Sequence, residues 1–182
     1  MTKSTLYNLT RKFKSAMLSA LHDKRFDSDV VFRDFPLGCC GDTCYLLSEY
    51  LLSKGIETIY VCGYKGIQSH AWLVLKDSNI NNPTPYTFND NDLPDDIKSL
   101  LTVYAGSKPD SPNYAVNYKE CDIQNGIIID ITADQFGEQS VYVGYLDEFH
   151  KQFRFDSAHD YGSLSELPRL LKLYSLITEY IS

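Results

Sequence analysis

Phe35-Pro36-Leu37-Gly38-Cys39-Cys40-Gly41-Asp42-Thr43-Cys44 runs directly into Tyr45-Leu46-Leu47-Ser48-Glu49-Tyr50-Leu51-Leu52. The first half is a glycine-flanked turn. In the second half Tyr45, Leu46, Leu47, Tyr50, Leu51 and Leu52 predict a mostly buried helix from Cys40 to Lys54, with Gly55 where a C-terminal cap belongs. A thiol at such a helix start feels the positive end of the macrodipole, which favours the reactive thiolate. Asp42 opposes this unless it points away. The plain alternative is that these small cysteines fill a seam between helix and sheet.

Working outward, Glu57–Tyr64 and Ser69–Lys76 read as strands joined at a Lys65–Gly66 turn. Upstream, Leu6, Leu9, Phe13, Met17 and Leu21 recur at helical spacing, and Asp27 to Phe35 reads as a loop or short extended piece. Asn79 to Asn125 is rich in Asn, Asp and Pro, with one short helical candidate at Asp95–Tyr104, and reads as an insertion. Gly126–Thr132 and Val141–Tyr145 are further strands, an extended piece surrounds Phe153 and Phe155, and a helix runs from Leu164 to Ile181 with Pro168 in its first turn. The order predicts one α+β domain over residues 1–182, with a mainly antiparallel sheet.

The 182 residues are 43% hydrophobic and 13% aromatic, enough for a real core. A net charge of −7 argues against a nucleic-acid partner. No apolar run has the length of a membrane span. Five cysteines are too few for a disulfide scaffold and point to a reducing, cytoplasmic setting. Residues 1–25 carry a local +5, so the rest carries −12. A basic, amphipathic start fits a transit peptide or membrane-surface helix, but such helices more often pack on their own domain. The pattern of a secretory signal is absent.

Chemistry could lie in two more segments. In Ser69-His70-Ala71-Trp72-Leu73-Val74-Leu75, alternation puts His70, Trp72 and Val74 on one face, and Ala71 and Leu73 on the other. Beside the only tryptophan, His70 could be a general base shielded from water. In Ile127-Ile128-Ile129-Asp130-Ile131-Thr132-Ala133-Asp134-Gln135-Phe136, Asp130 ends an apolar strand and must find a partner, imidazolium being the obvious one.

A helix-initial Cys, a strand His in His-x-Trp and a strand-terminal Asp in Asp-x-Thr together resemble the transglutaminase-like branch of the papain-like cysteine enzymes. The Phe-Pro-x-Gly-x-Cys-Gly setting and the Asp-Ile-Thr-Ala-Asp-Gln-Phe run also resemble small uncharacterised bacterial members. The resemblance covers residues 35–145. It implies a Cys-bearing helix packed on an antiparallel sheet that carries His and Asp on neighbouring strands. It further implies that Cys40 attacks a carbonyl, His70 moves the proton and Asp130 orients the imidazole. Cys40 matches the pattern better than Cys39, one residue before the helix, or Cys44, a turn inside it. His70 and Asp130 are 60 residues apart, longer than is usual in the branch, and an insertion at a hairpin tip accounts for this. Backbone N–H groups at the helix start, including Gly41, could stabilise an oxyanion, and Gln135 is a candidate amide donor to it. For Gln135 and Asp134 ordinary turn chemistry is the competing reading. Trp72 would support the site. His150 reads as a half-buried packing residue, and His22 and His159 as surface positions.

The expected reaction class is attack on amide or peptide carbonyls through an acyl-enzyme, hydrolysis first, then deamidation or transglutamination. Acyl transfer of the arylamine N-acetyltransferase type is an alternative, and so is a catalytically silent binding module. The expected partner is a protein or peptide substrate, with no cofactor. A zinc site of Cys40, Cys44 and His70 is the rival constellation, but no Cys-x-x-Cys pair supports it. Asp90, Asp92, Asp95 and Asp96 mark the insertion as a possible lid.

Overall fold

The computed structural model describes residues 2–76, 118–160 and 163–181. The Asp95–Tyr104 helix, the four lid aspartates and most of the insertion lie outside them. Among the described residues, four α-helices accompany one sheet: α1 (Lys3–His22), α2 (Cys40–Leu52), α3 (Glu120–Ile123) and α4 (Pro168–Thr178). The strands are β1 (Thr58–Lys65), β2 (Gln68–Leu75), β3 (Ile128–Asp130), β4 (Tyr142–Gly144) and β5 (Arg154–Asp160), in the order β4-β3-β2-β1-β5 with every pairing antiparallel. The α+β class and the antiparallel sheet are as the sequence predicts.

Helix α1 starts where the Thr2 hydroxyl accepts the Thr5 N–H at 3.1 Å. Its buried stripe of Leu6, Phe13, Ala16, Met17 and Ala20 packs against α2 and α4, while Lys3, Arg11 and Lys12 face solvent. None of the described helices is long and apolar enough to cross a membrane. Helix α2 buries Leu46, Leu47, Tyr50 and Leu51, each apolar side chain worth about 1.5–3 kcal/mol of burial. Gly55, at φ +74°, closes its C-terminal end, where the Ile56 N–H returns to Leu51 O at 3.0 Å.

The sheet has two apolar faces, so its central strands carry few exposed positions. One core lies between the sheet and α1, α2 and α4, and takes Ala71, Leu73, Ile129 and Ile131. The other takes Ile59, Val61, Trp72, Val74 and Ile128, and is closed by Tyr118, Ile123, Phe149 and Phe153. The alternation read in residues 70–74 therefore holds. Ser48 and Thr58 join their hydroxyls at 2.5 Å and fasten α2 to β1.

Three expectations are corrected. The end of the expected 79–125 insertion belongs to the core: Tyr118 and Ile123 are buried, and the Tyr118 N–H donates to Ala158 O at 2.9 Å. The extended piece near Phe153 is a seven-residue strand paired with β1, and the last helix is a 3₁₀ turn (Leu164–Glu166) followed by α4. His159 is not a surface residue. It stacks on Tyr60 with ring centroids 4.6 Å apart, and its Nε2 is 3.2 Å from the Tyr45 hydroxyl.

Candidate active site

Cys40 opens α2, and Cys39 is the residue before it. Cys39 is turned inward: its thiol donates to Pro36 O at 3.3 Å and accepts from the Thr43 hydroxyl at 3.5 Å. Burial pushes Cys39 up to about 12, and raises Cys44 and the half-buried Cys62 as well. Burial pushes Cys40 up too, but His70 outweighs it through hydrogen bonding and charge, and the N–H groups of Ala71 and Gly41 add to the effect. The net result is a thiol below its ordinary 9.0. Of Cys39, Cys40, Cys44 and Cys62, Cys40 alone moves toward thiolate. All five cysteines are free.

His70 and Asp130 stand on neighbouring strands, because β2 pairs with β3 through Leu73↔Ile129 and Val74↔Ile128. His70 Nε2 is 2.7 Å from Asp130 Oδ2, and both side chains are fully buried. Desolvation lowers the imidazole's affinity for a proton, but Asp130, and then Cys40, override it and raise His70 to about 9. Phe136 and Phe149 approach the ring edge-to-face at 5.1 and 5.6 Å, and Trp72 lies tilted at 5.7 Å. Trp72 supports the ring by packing and excludes water from that side.

Asp130 is saturated. Oδ1 accepts the Thr132 N–H at 2.8 Å and the Thr132 hydroxyl at 3.1 Å, while Oδ2 faces His70 and, at 3.3 Å, His150 Nε2. Burial alone would raise this carboxyl, but the two imidazoles and the Thr132 N–H hold it well below its ordinary 3.8. Four donors on one carboxylate explain how it tolerates complete burial.

His150 is the residue that sequence reasoning underrated. It is wholly buried, not half-buried, and its Nδ1 is 2.6 Å from Asp147 Oδ1, which also accepts the His150 N–H at 2.9 Å. The signal available was the Asp147-x-x-His150 spacing ahead of a 3₁₀ turn, set between Phe149 and Phe153.

Gln135 lies beside this group in a bridging position. Its Oε1 accepts the Gly38 N–H at 3.3 Å, and its Nε2 donates to Thr132 O at 3.0 Å and faces His70 Nδ1 at 3.5 Å. Two backbone partners, the Gly38 N–H and Thr132 O, fix the amide's orientation. The glutamine thus ties the loop before Cys40 to the loop after Asp130. Beside it, α2 begins without a side-chain cap from Cys39. Gly41 lies close under Tyr60, whose hydroxyl would be 3.3 Å from an added Cβ.

Asp42 points away from the thiol, to Arg169 on α4, whose guanidinium also holds both oxygens of Asp29 at 3.0 and 3.1 Å. The zinc set of Cys40, Cys44 and His70 is not assembled. Among the described residues the one group close enough to share an ion is His70, Asp130 and His150, with atoms within 4.8 Å of one another. Hydrogen bonds already engage those atoms. No family model matches the chain, and neither does any curated protein or solved structure.

Proposed function

We propose that the protein is a thiol enzyme in which Cys40 attacks an amide or peptide carbonyl, His70 carries the proton and Asp130 orients His70. The observation that carries this reading is the buried 2.7 Å contact of His70 with Asp130 on neighbouring strands, beside a thiol that opens α2; the lowered Cys40 thiol and the His70 imidazole raised to about 9 agree with it. Such a pair is nucleophile and acid in one ionised state. The thiolate adds to the carbonyl carbon, and the resulting oxyanion meets the N–H groups at the start of α2. His70 then returns a proton to the departing amine, leaving an acyl-enzyme on Cys40. Water resolves it in peptide hydrolysis and in deamidation, which differ in the amide attacked and release an amine or ammonia, whereas an amine acceptor resolves it in transfer. The papain-like, transglutaminase-like placement of the three residues is the fold reading that goes with this chemistry, and a protein or peptide is the proposed substrate.

Iodoacetamide at pH 6, with the alkylated residue located by peptide mass, tests the reading. Cys40 is expected to react about tenfold faster than Cys62 or Cys121, and His70→Gln to abolish the difference. Equal rates in the wild type would leave a silent binding module as the better account. Trapping of acyl groups from a lysate on wild type but not Cys40→Ala would then name the substrate class.

A further inference from the structure

We propose that His150, held by Asp147, is a positioning residue for the Cys40–His70 chemistry: it fixes the same Asp130 oxygen that faces His70. This rests on the thiol-enzyme reading above.

Asp130 ends a strand of three residues, so the backbone alone restrains its carboxylate weakly. Thr132 secures Oδ1, which leaves Oδ2 to be shared by two rings, His70 at 2.7 Å and His150 at 3.3 Å. The two imidazoles have centroids 6.3 Å apart and are tilted by 31° to one another. Both nitrogens of His150 face carboxylates: Nδ1 faces Asp147 at 2.6 Å and Nε2 faces Asp130. An ionised carboxylate only accepts, so the two ring nitrogens of His150 are what joins Asp147 to Asp130. Asp147 side chain is a third exposed, so the chain Asp147–His150–Asp130–His70 leads from solvent to the ring that serves Cys40.

The consequence for the chemistry is geometric: an Asp130 oxygen held by two rings keeps His70 aligned for Cys40, and a carboxylate freed from His150 would serve His70 less well. The other ionisable groups around His150 are Tyr142 on β4, with its ring at 5.2 Å, Glu120 and Lys151 along one side cavity, and Glu138 along another. The Tyr142 hydroxyl is committed to Tyr145 O at 2.5 Å.

The test is the pH profile of Cys40 carboxymethylation by iodoacetamide in wild type, His150→Gln and Asp147→Asn. Gln keeps one donor nitrogen where the ring offers two to bridge the carboxylates, and Asn at position 147 removes the anion that holds His150. The profile is expected to move to higher pH by about half a unit or more in His150→Gln, and by less in Asp147→Asn. A purely structural role would change the melting temperature and leave the profile where it is. An unshifted profile in folded His150→Gln overturns the proposal. If that variant does not fold, an unshifted profile in Asp147→Asn, whose side chain reaches solvent, overturns it. Failure of the underlying reading looks different: wild-type Cys40 would then react no faster than Cys62 or Cys121.

Discussion

Lys14 and Asp134 form an ion pair at 2.5 Å across 120 residues of sequence, and the lysine is almost wholly buried. Its ammonium also donates to Ile131 O at 2.8 Å and lies 5.4 Å from the centre of the Phe35 ring. One side chain of α1 therefore clamps the loop after β3, which carries Thr132 and Gln135, against the turn before Cys40. A residue in the basic stretch that would be assigned to a solvated face is an internal strut of the site.

Lys14→Met is expected to lower stability by about 1–3 kcal/mol, because Ile131 O loses its donor while Asp134 rehydrates in part. Asp134→Asn should cost more, toward the low end of the roughly 3–5 kcal/mol seen when a buried charge loses its partner. Urea midpoints decide it, and a smaller loss for Asp134→Asn would show that the lysine is not relying on that carboxylate.

Gly63 sits at the β1–β5 register shift with no room for a side chain. An added Cβ would meet Arg154 O at 2.9 Å, Phe153 Cβ at 3.0 Å and the Trp72 ring at 3.3 Å. Gly63→Ala should cost about 1–3 kcal/mol through overpacking. As Trp72 is the only tryptophan, its emission should shift in the same variant.

Arg169 keeps the charge of Asp42 occupied. In Arg169→Met that carboxylate is released beside the α2 N-terminus, and Cys40 alkylation at pH 7 should slow by about two- to threefold, a modest effect because the pair is partly exposed. The loss should vanish in Arg169→Met/Asp42→Asn.

The His70–Asp130 pair makes stability pH-dependent in a defined direction. Asp130 is held below 3.8, so its contribution is full above that value and drains away in acid. His70 is raised from 6.5 toward 9, so its contribution is full below 6.5 and is lost as pH climbs through the folded value. In a Cys40→Ala background, where no thiolate titrates beside it, thermal stability should fall as pH rises above 6.5. Adding His70→Gln should flatten that limb, and a slope that survives the change would place its origin elsewhere.

How much of this was legible in the sequence depended on range. The period-two pattern of residues 69–75 announced both faces of β2, and the apolar run before Asp130 announced a buried carboxylate in need of a partner. Local spacing carries such information because burial acts residue by residue along an element. His150 and His159 were misjudged for the opposite reason, and Lys14 lies beyond local reading for the same one: their partners are brought to them by folding. Asp134 is 120 positions from Lys14, Tyr45 is 114 from His159, and Asp130 reaches His150 across β4. Type and neighbours mark such residues as polar, and only the fold shows them enclosed.

The β2–β3 pairing has a consequence for how this chain can diversify. The chain leaves the sheet at Leu75, whose N–H donates to Ile127 O at 2.8 Å, and it re-enters on the same rung. Any excursion between these two points begins and ends at a fixed stem. Lengthening such a loop costs only about 0.6 kcal/mol per doubling. His70 and Asp130 belong to the stem and Tyr118 and Ile123 to the core, so the sequence between residues 77 and 117 is what can be rewritten without disturbing the 2.7 Å contact. Deleting Asn81–Ser111 should accordingly leave the Cys40 thiol reactive. Descendants of this chain can keep the stem and its two polar side chains while exchanging the segment they anchor.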